Sequence, residues 1–355
     1  MYLPIPADGK RSGTKSAMKT WFVHFSSIVL VLLGSCKKDN STAPEMLLPT
    51  RIVHTHGRGS DPLNPQSDLY VLDQAGNDRV LVDSMGINNF PKWSPDGRRI
   101  VFQGNRGRPT EIYLINADGS GERNLSNDPD FDEHPIWSPD GGKILFRGLR
   151  NGDFDLWVVD TNGQNLRNIT PFNLRDDQPS WASNGRIAYV GLREGNREIY
   201  VTDPMGLNHE KVTNTLSENE YVPSWSPDGS TIAYTLNGQL YTIAFPGGVR
   251  RQLTSQQDSV VNSQPQWSPD GNNILYQTKS DEIWRVNSNG SNPVNLTSNP
   301  ARDSYPRWSS DGSSIAFESY RSGDVQIFLM TRDGSRVQQL TSSANGNAMP
   351  EWAPR

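Results

Sequence analysis

The sequence predicts an all-β fold, a seven-bladed β-propeller of four-stranded blades, over residues 51–355. Three observations predict it. A phrase recurs: "PKWSPDG" at Pro91, "PIWSPDG" at Pro135, "PSWSPDG" at Pro223 and "PQWSPDG" at Pro265, with looser copies at Pro179 ("PSWASNG") and Pro306 ("PRWSSDG"). Its tryptophans, Trp93, Trp137, Trp181, Trp225, Trp267, Trp308 and Trp352, are spaced by 44, 44, 44, 42, 41 and 44 residues, the length of a four-stranded blade. Between copies lie short β-rich runs with the alternation of half-buried strands, and no helix of ordinary length is visible. Composition agrees. Hydrophobic residues make up only 34 %, but 31 Gly, 25 Pro and ten Trp suit short strands joined by tight turns and exclude a disordered chain.

Each unit parses in order. Strand one carries Pro-x-Trp. The turn "SPDG" follows, with proline presetting φ, Asp bonding locally and Gly closing a type I turn. Strand two is a short apolar run such as "IVF" at Ile100 or "IAY" at Ile232. Strand three follows a polar loop, as in "IYL" at Ile112 and "IFL" at Ile327. A second tight turn ("ADGS", "TNGQ") leads to strand four, a stub centred on Leu125, Ile169, Val212, Leu253, Leu296 and Leu340. The N-x-[ST] matches there, such as Asn295-Leu296-Thr297, are by-products of the repeat.

The ends of the repeat complete one another. Before Trp93 the chain offers strands two, three and four ("RIVH" at Arg51, "DLYVLD" at Asp68, a stub at Leu81) but no strand one. "PEWAP" at the C-terminus is a strand one with nothing after it. Together they make a composite blade that latches the ring and removes open sheet edges. Six whole units and one composite give seven blades; six is the alternative.

Ahead of the repeat, residues 1–35 read as a signal peptide. Lys19 heads an apolar run, Ile28 to Leu33, too short to span a bilayer, and Met18 is the better start. Leu33-Gly34-Ser35-Cys36 resembles the lipobox of bacterial lipoproteins, which implies acylation of Cys36, the only cysteine. Residues 36–50 follow as a polar tether. One cysteine excludes an internal disulfide framework or a thiolate zinc site. The net charge of −5, with no basic stripe, argues against a nucleic-acid partner.

The pattern P-x-W-S-P-D-G, I-A-F/Y, I-Y-V, L-T resembles the TolB-type propeller repeats, relatives of the WD repeat, over residues 51–354. TolB itself carries a separate α/β domain ahead of a six-bladed ring, so the resemblance implies the fold and not the soluble Tol–Pal role. Similar propellers in peptidases carry a hydrolase domain; here neither G-x-S-x-G nor H-E-x-x-H occurs.

Candidate site residues fall in two sets. Three positions before each strand-one proline stands a carboxylate or its amide: Asn88, Asp132, Asp176, Glu220, Asn262, Asp303 and Asn347. These are expected to ring one mouth of the channel, as a cation site with Ca²⁺ as the fitting ion, or to cap turns. Just before the prolines stand Phe90, His134, Gln178, Val222, Gln264, Tyr305 and Met349, which vary between blades as recognition residues do. His134 beside Asp132 and Glu133 is the one weak metal or acid–base cluster; His54 and His56, two apart on a strand, are another weak pair.

The expected function is a lipid-anchored, non-enzymatic scaffold in the bacterial envelope. It faces the periplasm or the cell surface from the outer membrane, touches the membrane only through its lipid, acts as a monomer, and binds an envelope protein or peptide at one mouth of the ring. No cofactor is required. The alternatives are a metal-dependent polysaccharide lyase and a glycan- or cation-binding module. The propeller resembles that of oligogalacturonate lyases, whose channel metal His134, Gln178 and Gln264 could imitate.

Overall fold

The computed structural model describes residues 48–355 except 59–65, 85, 107–108, 151, 173, 256–258 and 261–264. These fall within one compact unit, Glu45–Arg355. The leader 1–35, Cys36, most of the tether 36–50, Asn262 and Gln264 lie outside the described residues.

Among the described residues there are seven four-stranded antiparallel sheets and no helix. Blade 1 is the composite one. Its innermost strand is Asn347–Trp352, followed outward by Ile52–Arg58, Gln66–Leu72 and Asp78–Val82. The latch pairs Ile52 with Trp352 and His56 with Asn347 across one register shift between Val53 and Thr55, and Ala353 N–H donates to Arg51 C=O at 2.8 Å. Blades 2 to 7 each begin on a strand ending at Trp93, Trp137, Trp181, Trp225, Trp267 or Trp308. These first strands neighbour one another in sequence around the ring, and the last meets the first at blade 1. Strand four is a stub, as the sequence suggests, and in blades 2 to 6 it is two residues long. Arg123–Asn124 and Arg167–Asn168 are two residues long, and Leu125 and Ile169 follow them as buried caps. In the N-x-[ST] segments the Asn side chain accepts from the backbone two residues on, as Asn295 Oδ1 does from Thr297 N–H at 3.1 Å. The amide side chain is thus occupied in folding the stub.

The repeated turn behaves as its chemistry requires. In "SPDG" at Ser94 the Asp96 carboxylate accepts from Ser94 O–H at 2.5 Å and Arg98 N–H at 3.1 Å, while Gly97 N–H closes onto Ser94 C=O at 2.9 Å. Gly97 takes φ +66°, where a side chain would be strained. Ser138, Ser226, Ser268 and Ser309 repeat the bond to their own Asp.

The core lies between blades. Trp93 packs with Ile100 and Phe102 of its own blade and with Val53, Leu69 and Ala353 of blade 1. Indole N–H groups tie each blade to the one before. Trp93 donates to Glu351 C=O, Trp137 to Lys92, Trp267 to Ser224, Trp308 to Gln266 and Trp352 to Arg307, at 2.9–3.3 Å. Two links are missing, both at blade 4. Trp181 turns back to Gly185 C=O at 3.1 Å, and buried Trp225 Nε1 has no partner. Blade 4 carries the degraded copy "PSWASNG", whose altered turn presents Gly185 to its own indole.

Candidate functional site at the mouth of the ring

The innermost strands bend as they enter the ring. In blade 2 the pairing of Asn89 with Gln103 is followed by Lys92 with Val101, so the first strand holds one extra residue, a bulge. The residue before proline takes a left-handed backbone: Phe90 (φ 52°), His134 (56°), Gln178 (52°), Val222 (49°), Tyr305 (50°) and Met349 (55°). Non-glycine residues rarely hold such angles unless the surroundings fix them. At three of these positions the N–H freed by the bulge is captured by a side-chain oxygen of the preceding blade, whereas Gln178 N–H donates to its own neighbour Asp177 Oδ1 at 2.8 Å. His134 N–H donates to Gln103 Oε1 at 2.9 Å, Val222 N–H to Gln178 Oε1 at 2.8 Å and Met349 N–H to Glu318 Oε1 at 2.7 Å.

This bend turns the six side chains into a cavity of about 490 Å³. One part of its wall is apolar and aromatic, Phe90, Val222, Tyr305 and Met349 with the strand-one prolines of five blades, and another is charged, with Lys92, Arg147, Asp177, Asp281, Arg302, Arg307 and Glu351. The Phe90 and His134 rings meet edge to face at 4.4 Å. Burial pushes the His134 imidazole below its ordinary pKa, and the Arg147 charge adds to the effect, so it stands neutral at pH 7. Arg147 is held by Glu133 and, at 2.9 Å, by Asp177. Deeper, Lys92 Nζ and Arg307 Nε share Glu351 Oε2 at 2.6 and 3.1 Å. Burial opposes the charge on Glu351, yet Lys92 and Arg307 together hold its carboxyl below the ordinary value.

Thus Phe90, His134, Gln178 and Tyr305 come together on one cavity wall. The carboxylates do not. Asp132, Asp176, Glu220 and Asp303 are fully buried inside their blades rather than ringing the mouth. The bulge separates the two sets by reversing which way the chain faces. Asp132 is therefore turned from His134 and paired with Arg150 at 2.8 and 3.1 Å; Glu133 goes to Arg147. Asp176 pairs with Arg193 at 3.0 Å and Asp303 with Arg321 at 2.9 Å. Among the described residues no group of three or more His, Cys, Asp or Glu is placed to hold a metal. His54 is buried and bonds Asp78 at 3.0 Å; both His54 and His56 lie against Tyr70.

The sequence does carry a signal for these arginines: aromatic-x-Gly/Ser-x-Arg, as in Phe102–Arg106, Phe146–Arg150, Tyr189–Arg193 and Phe317–Arg321. The small residue sits opposite the carboxylate or amide and leaves room; a Cβ on Gly148 would lie 2.6 Å from Asp132 Oδ1. The guanidinium then covers an aromatic ring of strand three, Arg150 over Trp157 at 5.0 Å and Arg193 over Tyr200 at 4.3 Å.

Blade 5 breaks this rule. Leu236 stands opposite Glu220, and Asn237-Gly238 follow where an arginine would be. Burial, with Glu198 adding its charge, pushes the Glu220 carboxyl up to about 8. The folded protein then holds a proton that the unfolded chain releases above its ordinary 4.5, so stability falls as pH rises between about 4.5 and 8. Glu220→Gln is expected to remove this contribution. In thermal melts the variant should match the parent near pH 5 and melt higher at pH 8; a gap independent of pH would refute the assignment.

The sequence profile of the TolB beta propeller domain matches residues 63–190, 179–288 and 260–355. The Tol-Pal system protein TolB of Anaeromyxobacter dehalogenans (strain 2CP-C) is 48 % identical over 40 residues, a stretch that spans 11 % of this chain and only 9 % of that protein. A puromycin-hydrolyzing peptidase of Mycobacterium tuberculosis superposes with a TM-score of 0.68 at 12 % identity, over 84 % of this chain and 53 % of that one. An oligogalacturonate lyase of Vibrio parahaemolyticus does so with a TM-score of 0.60 at 14 % identity, over 82 % and 86 %. Such identities establish a shared fold, on which different chemistries are carried.

Proposed function

The chain belongs to the TolB β-propeller domain family, and on that footing we propose that it is an exported, lipid-anchored, non-enzymatic scaffold that binds an envelope protein or peptide at the mouth of its ring. The observation that carries this reading is the cavity wall. Side chains that differ from blade to blade are held there by a repeated backbone bend, mostly apolar, around about 490 Å³. Concave, apolar sites with a few placed polar groups are where ligands bind. The leader and the Leu33–Cys36 segment support export and acylation at Cys36. The likeness to a Tol-Pal system protein supports a protein partner.

A photo-crosslinking residue at Tyr305, on the cavity, tests this in native envelopes, with Val249, 90 % exposed and outside the cavity lining, as control. A discrete adduct from position 305 and none from 249 is expected. No adduct at 305, or the same products at both, defeats the reading. The metal-dependent lyase, or a glycan- or cation-binding module, draws on one observation, that His134 and Gln178 share the cavity. A melting point raised by manganese or calcium, together with cleavage of a uronate polymer, would favour the lyase.

A further inference from the structure

One layer below the ring of Phe90 and Tyr305 stand the residues between proline and tryptophan. Ile136, Ser180, Ser224 and Gln266 are uncharged. Arg307, Glu351 and Lys92 are charged, and they sit on consecutive blades, 7, 1 and 2. The charge is therefore one-sided, and it is unbalanced, because two cations share a single oxygen of Glu351. Among the described residues neither cation is ion-paired with any other carboxylate. Glu318, which also feels Arg307, is already engaged: it accepts from Met349 N–H at 2.7 Å and Ser304 O–H at 3.0 Å. Burial lowers the Lys92 pKa in spite of Glu351, as expected of an ammonium short of counter-charge. Arg147, also on the cavity, shows the opposite balance, with two carboxylates on one guanidinium.

The geometry points to a carboxylate as what this cavity receives, the free C-terminus of an extended peptide, seated on Lys92 and Arg307 with its last side chain against Phe90, Tyr305 and Met349. This rests on the peptide-binding reading above and adds the chemistry of the ligand. A guanidinium matches a carboxylate with parallel N–H donors, and an ammonium supplies a compact second charge. Cationic and apolar walls adjoin, so one terminal residue satisfies both. A cavity of about 490 Å³ holds a ligand of small-molecule size. An acidic side chain in mid-sequence would require the chain to enter past the prolines and leave again.

Fluorescence polarisation with labelled Gly-Ser-Gly-Leu-Phe as free acid and as C-terminal amide tests this on the unaltered protein. The acid is expected to bind at least ~10-fold more tightly, with the difference shrinking in 0.5 M NaCl and in Lys92→Met, where Arg307 still neutralises Glu351. An amidated peptide with an internal Asp and an unlabelled trigalacturonate competitor complete the set. Equal binding of acid and amide, both displaced by substitution at Tyr305, overturns the carboxylate inference and leaves the peptide site standing. Binding of neither peptide overturns it along with that reading. Preference for the internal Asp peptide overturns the chain end, and binding of trigalacturonate without the acid peptide overturns the peptide ligand.

Discussion

Removal of residues 347–355 is expected to abolish the cooperative thermal transition, and Trp352→Ala alone to cost about 3–5 kcal/mol. The segment supplies the innermost strand of blade 1, pairs with Ile52–Arg58, and buries Trp352 and Ala353. It also provides the carbonyl of Glu351 for Trp93 and, through Trp352, a bond to Arg307 C=O. Its loss uncovers the edge of Ile52–Arg58 and both flanking interfaces at once. Domains of ordinary stability hold only ~5–15 kcal/mol, so the sum exceeds what the fold can lose. Calorimetry of the truncated protein checks this. A melt as sharp and as high as the parent's would mean that the ring is not closed by this strand.

Arg150→Ala should be the most damaging single change away from the latch, at about 3–5 kcal/mol. The guanidinium makes two hydrogen bonds to Asp132, which is wholly buried, a 3.0 Å contact to Asp128, and covers the Trp157 ring. Burial, with the Glu111 charge adding to it, pushes the Asp132 carboxyl up to about 6 in spite of the pull of Arg150; without the arginine the group must take a proton or stay charged and unpaired. The double variant Asp132→Asn, Arg150→Met removes both charges and should recover much of the loss. Chemical denaturation of parent, single and double variants supplies the cycle. If the double variant were as unstable as Arg150→Ala, the cost would lie in lost packing and not in the stranded carboxylate.

How far the sequence could be read depended on whether a property repeats. The blades and the turns were legible because each is a local pattern stated six or seven times, and the latch because it is the remainder that the repeat leaves at the two ends. The placement of Asp132, Asp176, Glu220 and Asp303 was not. Alternation along a strand assigns faces by parity, and a bulge between Asp177 and Ser180, or between Glu133 and Ile136, resets that parity; its one mark in the sequence is the proline it encloses, Pro179 or Pro135. The backbone angle at His134 or Met349 is held by a side chain from the neighbouring blade, a contact across some thirty residues that no local motif reports. The cavity residues themselves, Phe90, His134, Gln178 and Tyr305, were singled out by their variation, a signal that survives an error of parity because it compares blades.

The indole links are unevenly spread around the wheel, and the seam is not where they fail. A join made between the two ends of a chain is usually where a toroid would be expected to tear, yet here tail and head are fastened by indoles on either side, at Trp93 and Trp352. The two missing indole bonds are both at blade 4, where side chains take their place: Arg147 holds Asp177 on one side, and on the other Gln178 accepts from Val222 N–H while Ser183 and Asn184 donate to Pro227 and Gly229 C=O. Where the repeated phrase decays, the fastening changes its chemistry without being lost, while the closure keeps the indole bond of the intact copies.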